Sequence, residues 1–456
     1  MSVKRLQQSL LACAATWALA GAAQAMSFAQ AYEAARGHDA QYRAAGHELA
    51  AARQGVPIAR SALLPAVAFS ASGSDVTGTR SFPNSLNQDV RVRVEYATPQ
   101  SSLNVRVPIF NREAQSRLGQ AQAQTEVAEA VFRIKGLDLI DRLAAAYLQV
   151  LLANEARQLS DVLTQTLSAQ LTQAQQRLQR GEGTRVDVAQ LQASLDLASV
   201  RKVEADDQLE LAHRQLRRVT GVATPTLQQL SADYQPPPLL PETLPQWLAL
   251  AVQQSPSLQA REQALMAARM GVQRAFAGHL PRLDLIASVA KSQNESLSNL
   301  NQSSTLRSIG MQLSVPLYSG GGVDAGVKQS EADRSRAEED IRVERENLEI
   351  EVQRQYQAVV GGTSRIAAYR KAVDSSELAL QGARRSLASG LATGSEVAEA
   401  QARHFSARRE LAQARFEYLL ARLRLMVNSG APAADVAADL DRALTASPVA
   451  PPALTR

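Results

Sequence analysis

Five histidines and 44 acidic side chains, with one cysteine, are the groups with which this chain of 456 residues could do chemistry. Metal binding and acid–base catalysis need such groups at short, characteristic spacings. His38, His47, His213, His279 and His404 are scattered, and neither a nucleophile motif nor a phosphate-binding glycine loop occurs. The expectation is a protein that is not an enzyme and holds no metal and no cofactor. What does recur is Gly181-Glu182-Gly183-Thr184-Arg185-Val186-Asp187-Val188, answered 209 positions later by Gly390-Leu391-Ala392-Thr393-Gly394-Ser395-Glu396-Val397. Glycines two or four positions apart break a helix, and Gly183 and Gly394 are expected to need the positive φ that side chains tolerate poorly. Glu396 and Glu399 lie three apart where a helix begins and so share a face. Their first-copy counterparts are Asp187 and Gln190. Carboxylates so placed act by charge, concentrating cations; the plainer reading is that they favour the helix dipole by about 0.3–1 kcal/mol.

These turns must be carried by long helices. Helical spacing fills Glu113–Arg180 and Val323–Ser389, roughly 68 residues or about 100 Å each. Shorter helical patterns run from Val186 to Thr220 and from Val397 to Asn428, each closed by a glycine, Gly221 or Gly430. Upstream, single helices are expected over 27–62 and 244–280, each stopped at a proline, Pro65 or Pro281. Between the elements of each copy the period changes to two. Val67, Phe69 and Ala71, then Leu103, Val105, Val107 and Ile109, alternate with polar residues; so do Leu283, Leu285, Ala287 and Val289, then Ile309, Met311, Leu313 and Val315. The segments 73–99 and 291–305, rich in Ser, Asn and Gly, are expected to be exposed loops. The chain is therefore a duplication: repeats at 26–221 and 244–430, a Pro-rich linker at 222–243 and a flexible tail at 431–456.

Strands of about ten residues with one apolar and one polar face suit a tilted crossing of a bilayer, although an amphipathic hairpin on a soluble core has the same pattern. Four strands cannot close a barrel alone, so spanning requires several chains. Residues 1–25 have a basic start at Lys4 and Arg5, an apolar run and the small-residue ending Ala23-Gln24-Ala25: a secretory signal peptide. Cys13 lies inside it, so the mature chain is expected to carry no disulfide and no lipid attached to cysteine. Its 47 basic against 44 acidic side chains do not favour nucleic acid.

The ordered set of signal peptide and two copies of helix, strand, loop, strand, long helix, glycine turn and short helix, with Ser314-Val315-Pro316-Leu317-Tyr318-Ser319-Gly320-Gly321 after the fourth strand, resembles the TolC family of outer-membrane efflux and secretion ducts. The resemblance implies a mainly α fold with membrane strands, a homotrimer whose twelve strands form one barrel in outer-membrane lipid, and a helical barrel reaching into the periplasm. It implies that the tips, with Gly181, Gly183, Thr184, Gly390, Thr393 and Gly394, dock a periplasmic adaptor of an inner-membrane ABC or RND transporter. It also implies that Glu396, Glu399 and Asp187 ring the periplasmic aperture. Ala392 stands where the family has glycine and Glu396 where it has aspartate. Lacking a lipid-attachment cysteine, the chain reads as a type I protein secretion duct, with drug efflux as the alternative and a non-conducting coiled-coil envelope protein as the reading from another class.

Overall fold

The computed structural model describes residues 25–223, 225–231, 234–296 and 299–445; the expected signal peptide as far as residue 24 and the segment beyond 445 lie outside them. The chain divides into two units, residues 47–131 with 258–344, and residues 25–46 with 132–257 and 345–445.

The first of these is built on an antiparallel sheet of β1 (Ala66–Ser72), β4 (Gln100–Asn111), β6 (Arg282–Ser296) and β7 (Asn299–Ser314), in the order β1-β4-β6-β7. Both copies contribute two strands, and β4 pairs with β6 across the seam between copies, with Val105 opposite Ala287. Alternation sorts the faces. One presents Val67, Phe69, Leu103, Ile109, Val289, Ile309, Met311 and Leu313, all exposed. The other carries hydroxyl pairs: Ser70 with Ser102 at 2.8 Å, Ser288 with Ser308 at 2.7 Å and Ser292 with Ser304 at 2.9 Å. Arg106 reaches across on this face to Asp284, with Nε 3.0 Å from Oδ2.

The two segments expected to be loops are not. β2 (Asp75–Pro83) and β3 (Asp89–Ala97) form a hairpin whose turn is held by the Asn84 side chain, which accepts from the amides of Leu86 and Gln88 at 3.0 Å. Val90, Val92 and Tyr96 alternate with Arg91, Arg93 and Glu95, a period that the surrounding polar residues obscured. β6 and β7 likewise run on through the Ser- and Asn-rich stretch, paired from Arg282 opposite Ser314 to Ser292 opposite Ser304 and beyond.

Helices frame the strands. The N-terminal helix expected over 27–62 is three: α1 (Phe28–His38), α2 (Ala40–Arg53) and α3 (Gly55–Ser61). Asp39 breaks it, because its carboxylate accepts from the Tyr42 amide at 2.7 Å and starts α2 afresh. The counterpart is likewise divided into α6 (Leu244–Gln254) and α7 (Pro256–Phe276), since Pro256 has no amide to continue α6. The long helices match their expected extents as α4 (Arg112–Gln179, 68 residues) and α8 (Gly322–Ala388, 67 residues), as do α5 (Arg185–Thr220) and α9 (Gly394–Asn428).

In the second unit the core gathers around Tyr147, fully buried and edge-on to Phe28 at 5.7 Å. Its hydroxyl donates to the Met26 carbonyl at 2.8 Å, and Tyr356, its partner in the duplication, donates to the Glu242 carbonyl at 2.8 Å. Each acceptor immediately precedes the residues that open its copy's first helix. Between α4 and α9 runs a seam of polar contacts: Asp141 with Arg424 at 2.7 Å, Glu155 beside Arg415, and the Gln170 amide donating to Gln401 at 3.2 Å. Burial raises the carboxyl pKa of Glu155, opposed by Arg415 and Arg408.

The segment from Ala431, expected to be a flexible tail, folds as far as it is described. α10 (Ala433–Ala443) buries Val436, Ala437 and Leu440, and β8 (Leu444–Thr445) pairs with β5 (Gln229–Leu230). Asp439 meets Arg422 at 2.7 Å, and the Asp441 carboxylate accepts from the amides of Phe28 and Ala29 at 2.7 and 3.1 Å. The last helix thereby satisfies the free amides at the start of the first.

Removing the Tyr147 hydroxyl takes the shorter of two donors from the Met26 carbonyl, which keeps the Gln228 amide at 3.3 Å, and does so where the ring is fully buried, a cost of about 0.5–1.5 kcal/mol; at half-exposed Tyr356 water can substitute and the cost stays under about 0.5 kcal/mol. Tyr147→Phe is therefore expected to lower the denaturant midpoint clearly more than Tyr356→Phe, and equal midpoints would refute the assignment.

Candidate functional site

Each recurring glycine stretch resolves into a helix stop followed by a helix start. After α4, the Gly181 amide donates to Leu178 O at 3.0 Å and the Glu182 amide to Arg177 O at 3.0 Å; after α8, Gly390 donates to Leu387 O at 3.1 Å and Leu391 to Ser386 O at 2.8 Å. This paired arrangement needs a left-handed residue just past the helix. Gly181 at φ 78° and Gly390 at φ 75° supply it. Threonine then starts the next helix: Thr184 Oγ1 accepts from the Asp187 amide at 3.1 Å, and Thr393 Oγ1 from the Glu396 amide at 3.3 Å.

The expectation that Gly183 and Gly394 adopt positive φ is corrected. Their constraint is space. A Cβ on Gly183 would stand 3.1 Å from the Leu178 amide nitrogen, and one on Gly394 would stand 3.3 Å from Leu191 Cδ1. The second distance also shows that the two turns lie side by side, although they are far apart in sequence. A cleft of about 210 Å³ between them is lined by Arg177, Glu182, Thr184, Asp187, Leu191 and Thr393, among others. Beneath it Leu163, Leu167, Leu171, Leu191, Ala198 and Ala398 form one apolar cluster, with Phe405 packed against it.

The three predicted acids are not equivalent. Asp187 is drawn into its own turn, accepting from the Thr184 hydroxyl at 2.8 Å. Glu399 is ion-paired with Arg403 one turn on, at 2.5 Å. Glu396 is exposed, with its backbone held by Thr393. Arg403, Leu191 and the Gln170–Gln401 bridge escaped the reading from sequence. Arg403 could have been found as the i+4 partner of Glu399. Among the described residues no group of three His, Cys, Asp or Glu side chains is placed to hold a metal ion. None of the described helices is long and apolar enough to cross a membrane.

The arrangement is of two abutting turns on paired helices, with a two-faced sheet in the other unit, a sheet whose apolar and polar faces suit the wall of a channel. Comparison with known proteins points the same way. The family model described as "Outer membrane efflux protein" matches residues 31–222 and 247–431, one block per copy. The chain is 31% identical over 420 residues to the Dickeya chrysanthemi proteases secretion protein PrtF, covering 90% of this chain and 89% of that one. It is 33% identical over 414 residues to the Pseudomonas aeruginosa alkaline protease secretion protein AprF, covering 89% and 85%. Among solved structures, the transmembrane channel CusC superposes with a TM-score of 0.75 at 18% identity, over 90% of this chain and 93% of that one.

The turn geometry separates the glycines experimentally. Gly181→Ala and Gly390→Ala force a side chain into the left-handed region, at about 1–2 kcal/mol each. Gly394→Ala asks only a small adjustment of the flexible Leu191 tip. Amide hydrogen exchange within the turns should accelerate clearly in the first two variants and little in the third; a uniform response would contradict these roles.

Proposed function

The chain belongs to the outer membrane efflux protein family and is an export channel of the outer membrane; from that footing we propose that its cargo is polypeptide, delivered by an inner-membrane ABC transporter through a periplasmic adaptor. The observation that carries the cargo assignment is the full-length likeness, above 30% identity, to two proteins named for protease secretion. The adaptor docks on the paired turns at Gly181–Thr184 and Gly390–Gly394, where backbone and small side chains leave a surface with little conformational entropy to lose. A gene disruption tests the cargo: secreted protease should accumulate inside the cell while drug susceptibility is unchanged. The converse result would transfer the chain to drug efflux.

The active form is a homotrimer. Within one chain the sheet ends in two open edges, β1 and β7, and hydrocarbon tolerates no unpaired strand edge. The duplication gives the register of closure. Pro65 answers Pro281 and Pro108 answers Pro316, so β1 corresponds to β6 and β7 to β4. Carrying the observed β4–β6 pairs, Arg106 opposite Ile286 and Val107 opposite Leu285, onto the open edges sets Ser314 opposite Ser70 of the next copy, and Val315 opposite Phe69. The mature chain has no cysteine of its own. Ser70→Cys with Ser314→Cys should therefore yield covalent trimers on oxidation, while either single variant does not. Chains that stay monomeric under these conditions would rule out this closure.

At the periplasmic aperture the three copies bring Glu396, Glu399 and Asp187 together. With Glu399 balanced by Arg403 and Asp187 bound into its turn, Glu396 supplies most of the uncompensated charge. Glu396→Gln is expected to reduce cation selectivity and block by trivalent cations in single-channel recordings more than Asp187→Asn does. The reverse order would reassign the ring.

A further inference from the structure

The two faces of the four-stranded sheet treat charge differently. On the hydroxyl-bearing face Arg106 meets Asp284, and Arg282 meets Glu113. On the apolar face the charged side chains, among those described, are Lys291 and Arg307: both are cations, both are exposed, and neither has an ion-pair or hydrogen-bonding partner among the described residues. Lys291 stands opposite Thr305 on β7 and Ser101 on β4, and Arg307 stands opposite Val289. The two cations are thus diagonal neighbours on adjacent strands, about 7–8 Å apart at the backbone, so their long side chains can converge on one anion. Lys291 also lines a cleft of about 470 Å³ with Ser101, Gln293, Gly73 and Pro99.

Height along the strand places this pair. From Arg282, where β6 leaves the helices, to Lys291 is nine steps, about 30 Å of strand at ~3.3 Å each. Tilted as barrel strands are, that is about 23 Å of height, close to the ~25 Å apolar band of an outer-membrane barrel. The face between is Leu283, Leu285, Ala287 and Val289 on β6, with Ile309, Met311 and Leu313 on β7. The cations therefore sit where the hydrocarbon ends on the side away from the helices, at the level of lipid headgroups. Cations at that level match headgroup phosphates, and guanidinium binds phosphate in a bidentate fork.

We propose that Lys291 and Arg307 form a binding site for the phosphate of an anionic lipid in the outer leaflet, three such sites circling the trimer. The proposal rests on the reading that the apolar face meets lipid. The experiment uses the full mature trimer in nanodiscs of phosphatidylcholine doped with lipid A, a phosphorylated glycolipid, and reads retained lipid by native mass spectrometry. Ion conduction is recorded from the same preparations. Wild type is expected to retain lipid A. Lys291→Gln with Arg307→Gln should lower retention by about tenfold or more, with trimers intact and conducting, while Lys291→Arg retains it. Equal retention by wild type and the double variant would overturn the site alone. Displacement of lipid A by inorganic phosphate at concentrations that only match the lipid would overturn it in favour of a free-anion site. A wild-type chain unable to enter nanodiscs would overturn the membrane reading and this site with it.

Discussion

A strand edge in hydrocarbon has no water to bond, and each unpaired amide or carbonyl there costs several kcal/mol. β1 and β7 are two such edges in a single chain, and much of the remaining structure can be understood from the need to complete them. The sheet is too narrow to curl onto itself. Its chemistry is arranged for a wall, with branched and aromatic side chains outward and paired serine hydroxyls inward. The hydroxyl pairs satisfy one another across strands, so the inner face is polar without being strongly charged. The ion pairs Arg106–Asp284 and Arg282–Glu113 are the exceptions, and the first lies across the junction of the two copies, where it also fixes the register of β4 on β6.

The duplication is more than a resemblance of patterns, because it survives at the level of single hydrogen bonds. Tyr147 and Tyr356 each tie a long helix to the segment that opens the copy. The copies differ where they meet other parts of the chain. Tyr147 is sealed beneath Phe28, whereas Tyr356 is half-exposed. Asp39 breaks the first N-terminal helix with its side chain; at the matching place in the second copy, Ser255 is followed by a proline that does so by lacking an amide. The α4–α9 seam joins the copies by polar contacts as well as by the apolar cluster of Leu163, Leu167 and Leu171 with Ala398 and Phe405, and such polar pairs specify alignment more than they add stability.

Much of this was legible in the sequence because it rests on strong periodic signals. The ends of α4, α5, α8 and α9 are marked by Gly181, Gly221, Gly390 and Gly430, and the alternation in β1, β4, β6 and β7 is regular. Weaker signals failed for identifiable reasons. The β2–β3 hairpin was hidden because Arg91, Arg93 and Glu95 on one face dilute Val90, Val92 and Tyr96 on the other. Asp39 is a helix breaker only because its carboxylate captures the Tyr42 amide while meeting Arg142 at 3.0 Å, a partner 103 residues away. α10 follows Pro432 and is short and alanine-rich, so it resembles a tail until Arg422 and the start of α1 are seen to hold it. At the turns, spacing identified the glycines but not their roles, because φ is decided by the hydrogen bonds of the helix end. Long-range charge partners such as Asp141 and Arg424 have no local signature at all.

The contact between Asp441 and the start of α1 has a bearing on the order in which the chain can mature. Phe28 is made early in synthesis, and the carboxylate that receives its amide is 413 residues downstream. Until synthesis is nearly finished, the first helix has only its local Ser27–Gln30 cap at its leading end, and the Phe28 and Ala29 amides lack this acceptor. The clasp forms only when both extremities of the molecule are present. A chain interrupted between α9 and α10 keeps α1 to α9 and all four strands of the sheet, yet leaves the leading amides of its opening helix without this acceptor, so this one hydrogen-bonded carboxylate serves as a mark of completeness written into the fold.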